Sequence, residues 1–119
     1  MTLRDLHTAW GWVMIGGNGV AGVWALAAAR VPGLRTRALW WFTAFAEVAV
    51  LVQVCLGVGL VGEDRRAEQF HMFYGFVALI AVAIIYSYRS QLRHRLYLLY
   101  GLGGLFVMGL GLRAVQVGP

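Results

Sequence analysis

Charge is scarce in this chain, and lysine is missing altogether. All ten basic residues are arginine, set against five acidic ones, and only 13% of the 119 residues are charged. With 61% of the residues hydrophobic, an ordinary soluble domain is excluded. A chain of this length buries only part of its surface and would leave too much apolar side chain in water. Cys55 is the single cysteine, so no internal disulfide can form; in its apolar setting it reads as a small packing residue. The N-terminus lacks the marks of a cleavable leader. Arg4 is balanced by Asp5 and no small-residue site closes a short apolar core, so the first apolar run is expected to stay in the mature protein. A linker long enough to divide the chain is also missing, and residues 1–119 read as one unit.

What the chain does have is four apolar runs, at about 8–29, 38–61, 70–88 and 96–113. Each is close to the roughly 20 residues a helix needs to cross about 30 Å of hydrocarbon. Helix is the state that pairs every backbone group inside lipid, where an open strand edge would not. The expected fold is therefore all-α: an integral membrane protein forming an antiparallel four-helix transmembrane bundle. The arginines orient it. The first connection carries Arg30, Arg35 and Arg37, and the third carries Arg89, Arg93 and Arg95. The second sets Arg65 and Arg66 against Glu63, Asp64 and Glu68, while the tails have only Arg4 and Arg113. Basic short loops favour the cytoplasm, so both termini are expected outside a bacterial plasma membrane. The arginines punctuate lipid spans instead of forming a soluble patch, which argues against nucleic acid as a partner.

One motif occurs twice. His7-Thr8-Ala9-Trp10-Gly11 and His71-Met72-Phe73-Tyr74-Gly75 both run histidine, two residues, large aromatic, glycine. They open the first and third runs, so an up-and-down chain places both histidines on one side of the membrane, here the outer one. At about 100° per residue, His7, Gly11, Met14, Asn18, Ala21, Gly22 and Ala25 share a face, as do His71, Gly75, Ala78 and Val82. Faces of small residues usually pack against other helices, so the imidazoles are expected to point into the bundle. The fourth run has Gly101, Gly104 and Gly111 on a related stripe, with Tyr97 and Tyr100 at its inner end. A flat iron porphyrin gripped from both faces needs two such histidines. It also needs room one turn below each, which Gly11 and Gly75 offer.

Each feature has a plainer explanation. A histidine at a helix start can be an interfacial polar residue, Trp10 and Tyr74 suit an aromatic belt, and glycine serves packing alone. His94, in the third connection, reads as solvated. Two further polar residues fall in the second run. Glu47 lies about 9 Å beyond Trp41 at about 1.5 Å per residue, and an ionisable group at that depth is a functional hypothesis. Glu47 suits proton handling, a quinone contact, or a carboxylic acid bonded to a backbone carbonyl. Gln53 lies further toward the outer leaflet and about 120° from Glu47.

The stretch Val52-Gln53-Val54-Cys55-Leu56-Gly57-Val58-Gly59, followed by a short outer connection and then His71, resembles one half of a haem A synthase. In that family each half is a four-helix bundle with a histidine near the outer start of one helix and another two helices later. A helix with a Q-x-x-L-G-like run lies between them. The resemblance covers about residues 4–85 and implies haem b ligated by His7 and His71; Gly11, Gly75, Gln53 and Asn18 are the further candidates to surround it. The chain departs from the family in three ways: four helices stand where the family has eight, Arg4 stands where its catalytic half carries a glutamate, and the outer-loop cysteine pair is missing. The resemblance thus implies the haem-holding scaffold without the oxidising apparatus, and not an enzyme on its own.

Two axial imidazoles leave the iron no site for oxygen and suit it to passing single electrons. Arg4, Arg65, Arg66 and Arg113 are candidates to pair with haem propionates, because a guanidinium matches a carboxylate fork. The expected work is electron transfer, haem handling or quinone-linked respiration, with lipid and haem as partners. A quinone, a larger respiratory complex or a second copy of the chain are further candidates. A cofactor-free accessory subunit of a membrane complex is the competing reading, and a minimal transporter using Glu47 is another.

Overall fold

The computed structural model describes residues 1–64 and 69–117. Among them there are four long helices and no strand. Helix α1 spans Leu3–Arg30, α2 Arg37–Asp64, α3 Gln69–Ser87 and α4 Leu96–Val117, with short 3-10 turns at Pro32–Leu34 and Arg93–Arg95. All four are long and apolar enough to cross a membrane. The molecule measures 47 × 27 × 20 Å, elongated along the bundle.

Helix α1 begins earlier than its apolar run because Thr2 and Asp5 close a capping box. The Thr2 hydroxyl accepts from the Asp5 N–H at 3.1 Å, and the Thr2 N–H donates to the Asp5 carboxylate at 3.1 Å. His7 therefore sits on an established helical turn with fixed direction. At the other end the Arg35 guanidinium donates to the last carbonyls of α1, Ala28 at 2.7 Å and Ala29 at 3.0 Å. Those groups have no partner within the helix.

Cross-helix contacts fix an antiparallel register. Gln53 meets His7, Trp10 Nε1 donates to the Ala49 carbonyl at 2.9 Å, and Asn18 meets Ala46, so α2 runs back along α1. Gly22 meets Gly101 and Gly104 while Ile15 meets Gly111, so α4 also runs opposite to α1. His71 meets Ala114, which sets α3 against α4. Helix α1 packs most extensively on α4 and then on α2, whereas α2 and α3 touch little. The glycines explain that preference. A Cβ on Gly22 would lie 2.9 Å from the Gly101 carbonyl, and one on Gly104 would lie 2.9 Å from the Asn18 carbonyl. The two backbones approach too closely for any side chain, as small residues permit in membrane bundles.

Met14, Ala49, Val50, Ala78, Ala81 and Val107 form the central core, and Ala25, Ala28, Leu39 and Tyr100 fill the arginine-rich end. Outward-facing positions stay apolar: Trp12, Trp41, Phe70, Phe73, Leu102 and Phe106 are all more than half exposed. Cys55 is also exposed, contrary to its expected packing role. It lies about 200° round α2 from the inward-facing Gln53 and Gly57. His94 is exposed, as expected for its turn.

Candidate functional site

The two histidines come together. Their rings, one from α1 and one from α3, have centroids 5.9 Å apart and planes at 76°. Each ring is held differently. His71 Nδ1 lies 2.8 Å from the Ala114 carbonyl oxygen. A carbonyl only accepts, so Nδ1 is the donor and carries a proton; in the neutral ring the lone pair is then on Nε2. Histidines that bind metal are commonly oriented in this way, with the other ring nitrogen donating to a carbonyl.

His7 is gripped by α2. Gln53 Nε2 donates to the His7 backbone carbonyl at 2.7 Å, and the His7 ring lies over Gly57, where a Cβ would stand 3.2 Å from Cε1. Gln53 and Gly57 are four residues apart and so share one face of α2. His7 Nδ1 and Gln53 Oε1 are buried and have no hydrogen-bond partner among the described residues. Such groups are uncommon in folded proteins and call for an explanation.

Around the pair lies a partly open cavity of about 650 Å³ with walls from all four helices. Its lining is mostly apolar, with Arg4, His7, Thr8, Trp12, Gln53, His71 and Tyr74 as the side chains that carry charge or hydrogen-bonding atoms. That volume falls in the range of small-molecule and cofactor sites.

The glycines expected to make room behave differently from each other. A Cβ on Gly75 would meet nothing within 4 Å, so α3 offers open space one turn below His71. At Gly11 a Cβ would stand 2.9 Å from Gln53 Nε2. The space at Gly11 is therefore taken by the amide that reaches the His7 carbonyl. Asn18 does not reach the cavity. It is 3% exposed, and its amide donates to the carbonyls of Met14 at 2.9 Å and Ala46 at 3.1 Å, tying α1 to α2.

Among the arginine candidates, Arg4 lines the cavity. Arg113 donates to Gln116 at 3.1 Å and lies 5.9 Å from the centroid of the Tyr74 ring, beside the cavity wall. Arg65 and Arg66 lie outside the described residues. Glu47 is half-buried, away from the cavity and within electrostatic reach of Tyr100. No hydrogen bond of its carboxyl is seen among the described residues. Gly57 and the Ala114 carbonyl were missed as parts of the site. Gly57 was legible as the residue one turn after Gln53; a backbone carbonyl has no sequence signal.

Among the described residues no group of three or more His, Cys, Asp or Glu side chains could hold a metal ion. A site of three or four protein ligands, as for structural or catalytic zinc, is therefore not built from them. A macrocycle that brings its own equatorial nitrogens requires only two axial side chains. His7 and His71 are the two side chains that would hold such a group, and their rings already face one cavity. Comparisons with models of known protein families, with curated proteins and with solved structures find no match. The likeness to haem A synthases thus rests on the residues quoted above.

Proposed function

We propose that this chain is a bacterial plasma-membrane protein that binds haem b through His7 and His71 and serves in electron transfer. The observation that carries the reading is the meeting of two imidazoles, 5.9 Å apart, inside a cavity walled by all four helices. A half-buried histidine pair inside apolar helices carries a cost, and His7 Nδ1, without a hydrogen-bond partner among the described residues, adds to it. When bound, haem supplies a one-electron couple at the iron.

The work of the chain's own residues would be to present and shield the two imidazoles that hold the group. The Ala114 carbonyl orients the His71 ring through Nδ1, so that Nε2 would be the nitrogen offered to the group. Gln53 and Gly57 fix the backbone and ring of His7. Met14, Val50 and Ala78 keep water from the inner wall. Arg4, at the cavity, is the described arginine placed to meet a propionate. The two termini and this cavity lie on the outer side of the membrane in this reading, opposite the arginine-rich connections.

The absorption spectrum tests the proposal. Full-length protein from haem-replete membranes is expected to show a six-coordinate low-spin spectrum that His7→Ala or His71→Ala abolishes or shifts to a five-coordinate form. Colourless protein that stays colourless with added hemin would overturn it and favour a cofactor-free accessory subunit.

A further inference from the structure

A second cavity lies away from the histidines, in the groove between α3 and α4. It has about 630 Å³ of space, and eleven of its twelve lining residues are apolar or glycine; the exception is Arg95. Val77, Ile80 and Ile84 form one wall, and Leu98, Leu102 and Phe106 the other. We propose that this groove binds one anionic phospholipid, with an acyl chain along the apolar walls and its phosphate on Arg95. This inference rests on the membrane-spanning reading of the helices and is independent of haem.

Three observations carry it. From Arg95 to Phe106 the groove extends about 16 Å at about 1.5 Å per residue, about half of a hydrocarbon core roughly 30 Å thick. It is the length of one leaflet, with the charge at the end where headgroups lie. Two other arginines at this end are already engaged. Arg35 caps α1 and lies 5.0 Å over the Tyr97 ring, and Arg89 donates to the Tyr86 carbonyl at 2.8 Å while stacking on its ring at 3.7 Å. The Arg95 side chain has no ion pair or hydrogen bond among the described residues. A lone guanidinium at the mouth of an apolar groove is complementary to a phosphate attached to a hydrocarbon chain, as in basic pockets between membrane helices. Arg93 and His94, beside it in the same turn, do not line the groove and add only diffuse positive charge at that end.

Native mass spectrometry of the delipidated full chain provides the test, with phosphatidylglycerol and phosphatidylcholine of identical acyl chains offered at equal concentration. Wild type is expected to retain one phosphatidylglycerol with about a fivefold preference, the worth of one basic side chain against an anionic headgroup. Arg95→Gln is expected to bring the two lipids to parity, and Arg93→Gln to leave the preference in place. Ile80→Trp, at a position 55% exposed and so tolerant of size, is expected to lower retention of both lipids by filling the groove. Equal retention by wild type would overturn the proposal. So would equal losses in Arg93→Gln and Arg95→Gln, which would mean diffuse surface charge. Displacement of the lipid by glycerol phosphate at equal concentration would reduce the site to a headgroup contact and also overturn it. Should Arg95→Gln fail to fold by circular dichroism, the lipid preference of wild type and the Ile80→Trp result decide the matter.

Discussion

His7 shows how little of a site belongs to the residue that does the work. Its type and its partnership with His71 were legible, because the five-residue motif occurs twice and the two runs enter from one side. Its orientation was not, since it depends on a backbone carbonyl and on a glycine of another helix. The two glycines of the motif illustrate the same limit. Both stand one turn after a histidine, yet Gly75 faces open space and Gly11 faces the Gln53 amide. Gly75→Leu is therefore expected to leave the helix content and melting temperature nearly unchanged while removing haem absorption, because its side chain projects into the cavity. If absorbance persists in a folded Gly75→Leu protein, the ring does not lie beside α3. Gly11→Leu, by contrast, must also break the Gln53–His7 bond, and its loss of haem would not separate ring space from ligand placement. Glu47 lies outside the cavity and has no hydrogen-bond partner among the described residues. Glu47→Gln, nearly isosteric, is thus expected to keep both fold and haem content within error of wild type by circular dichroism and absorbance. Loss of a proton-coupled flux in reconstituted vesicles, with assembly intact, would favour the transporter reading.

Helix number and approximate limits were read from hydropathy, and the small-residue face of α1 does lie inside: Gly11, Met14, Asn18, Ala21, Gly22 and Ala25 are all buried. Hydropathy marks where lipid-compatible sequence begins and not where hydrogen bonding begins, so the Thr2–Asp5 capping box carried α1 back to Leu3. Pairing was harder to foresee. Glycine stripes on α1 and α4 announce close packing without saying which stripe meets which. The crossing at Gly22 and Gly104 answers this for the most extensive interface of the bundle. Gly22→Leu or Gly104→Leu must push two backbones apart, and overpacking of this sort costs about 1–3 kcal/mol or more. Either variant is expected to lower the thermal unfolding midpoint in detergent by several degrees. Asn18→Ala, which removes two bonds between buried polar groups, is expected to cost less, about 0.6–2 kcal/mol. A glycine variant as stable as wild type would mean that α1 and α4 do not meet at this crossing.

At the scale of the whole molecule, the antiparallel register turns a charge pattern into an asymmetry between two ends. Arg30, Arg35, Arg37, Arg89, Arg93 and Arg95 belong to connections that the register gathers at one end, while His7, His71 and Ala114 lie at the other. Between them runs an outward surface of Trp, Phe, Leu, Ile and Val side chains too extensive for a water-soluble monomer. Lipid is the solvent that such a surface suits. Arginine is held on the cytoplasmic side when short loops are inserted, so the arginine end is expected to face inward and the histidine cavity outward. A C-terminal reporter active only in the cytoplasm is therefore expected to be silent, and one active only outside to give signal. The reverse result would move the cavity to the cytoplasmic side without separating the histidines, because their shared end follows from the fold and not from the direction of insertion. It would also place Arg95 and its groove in the outer leaflet. The topology experiment thus decides which leaflet would supply the proposed lipid and from which side the proposed redox partner would reach the cavity.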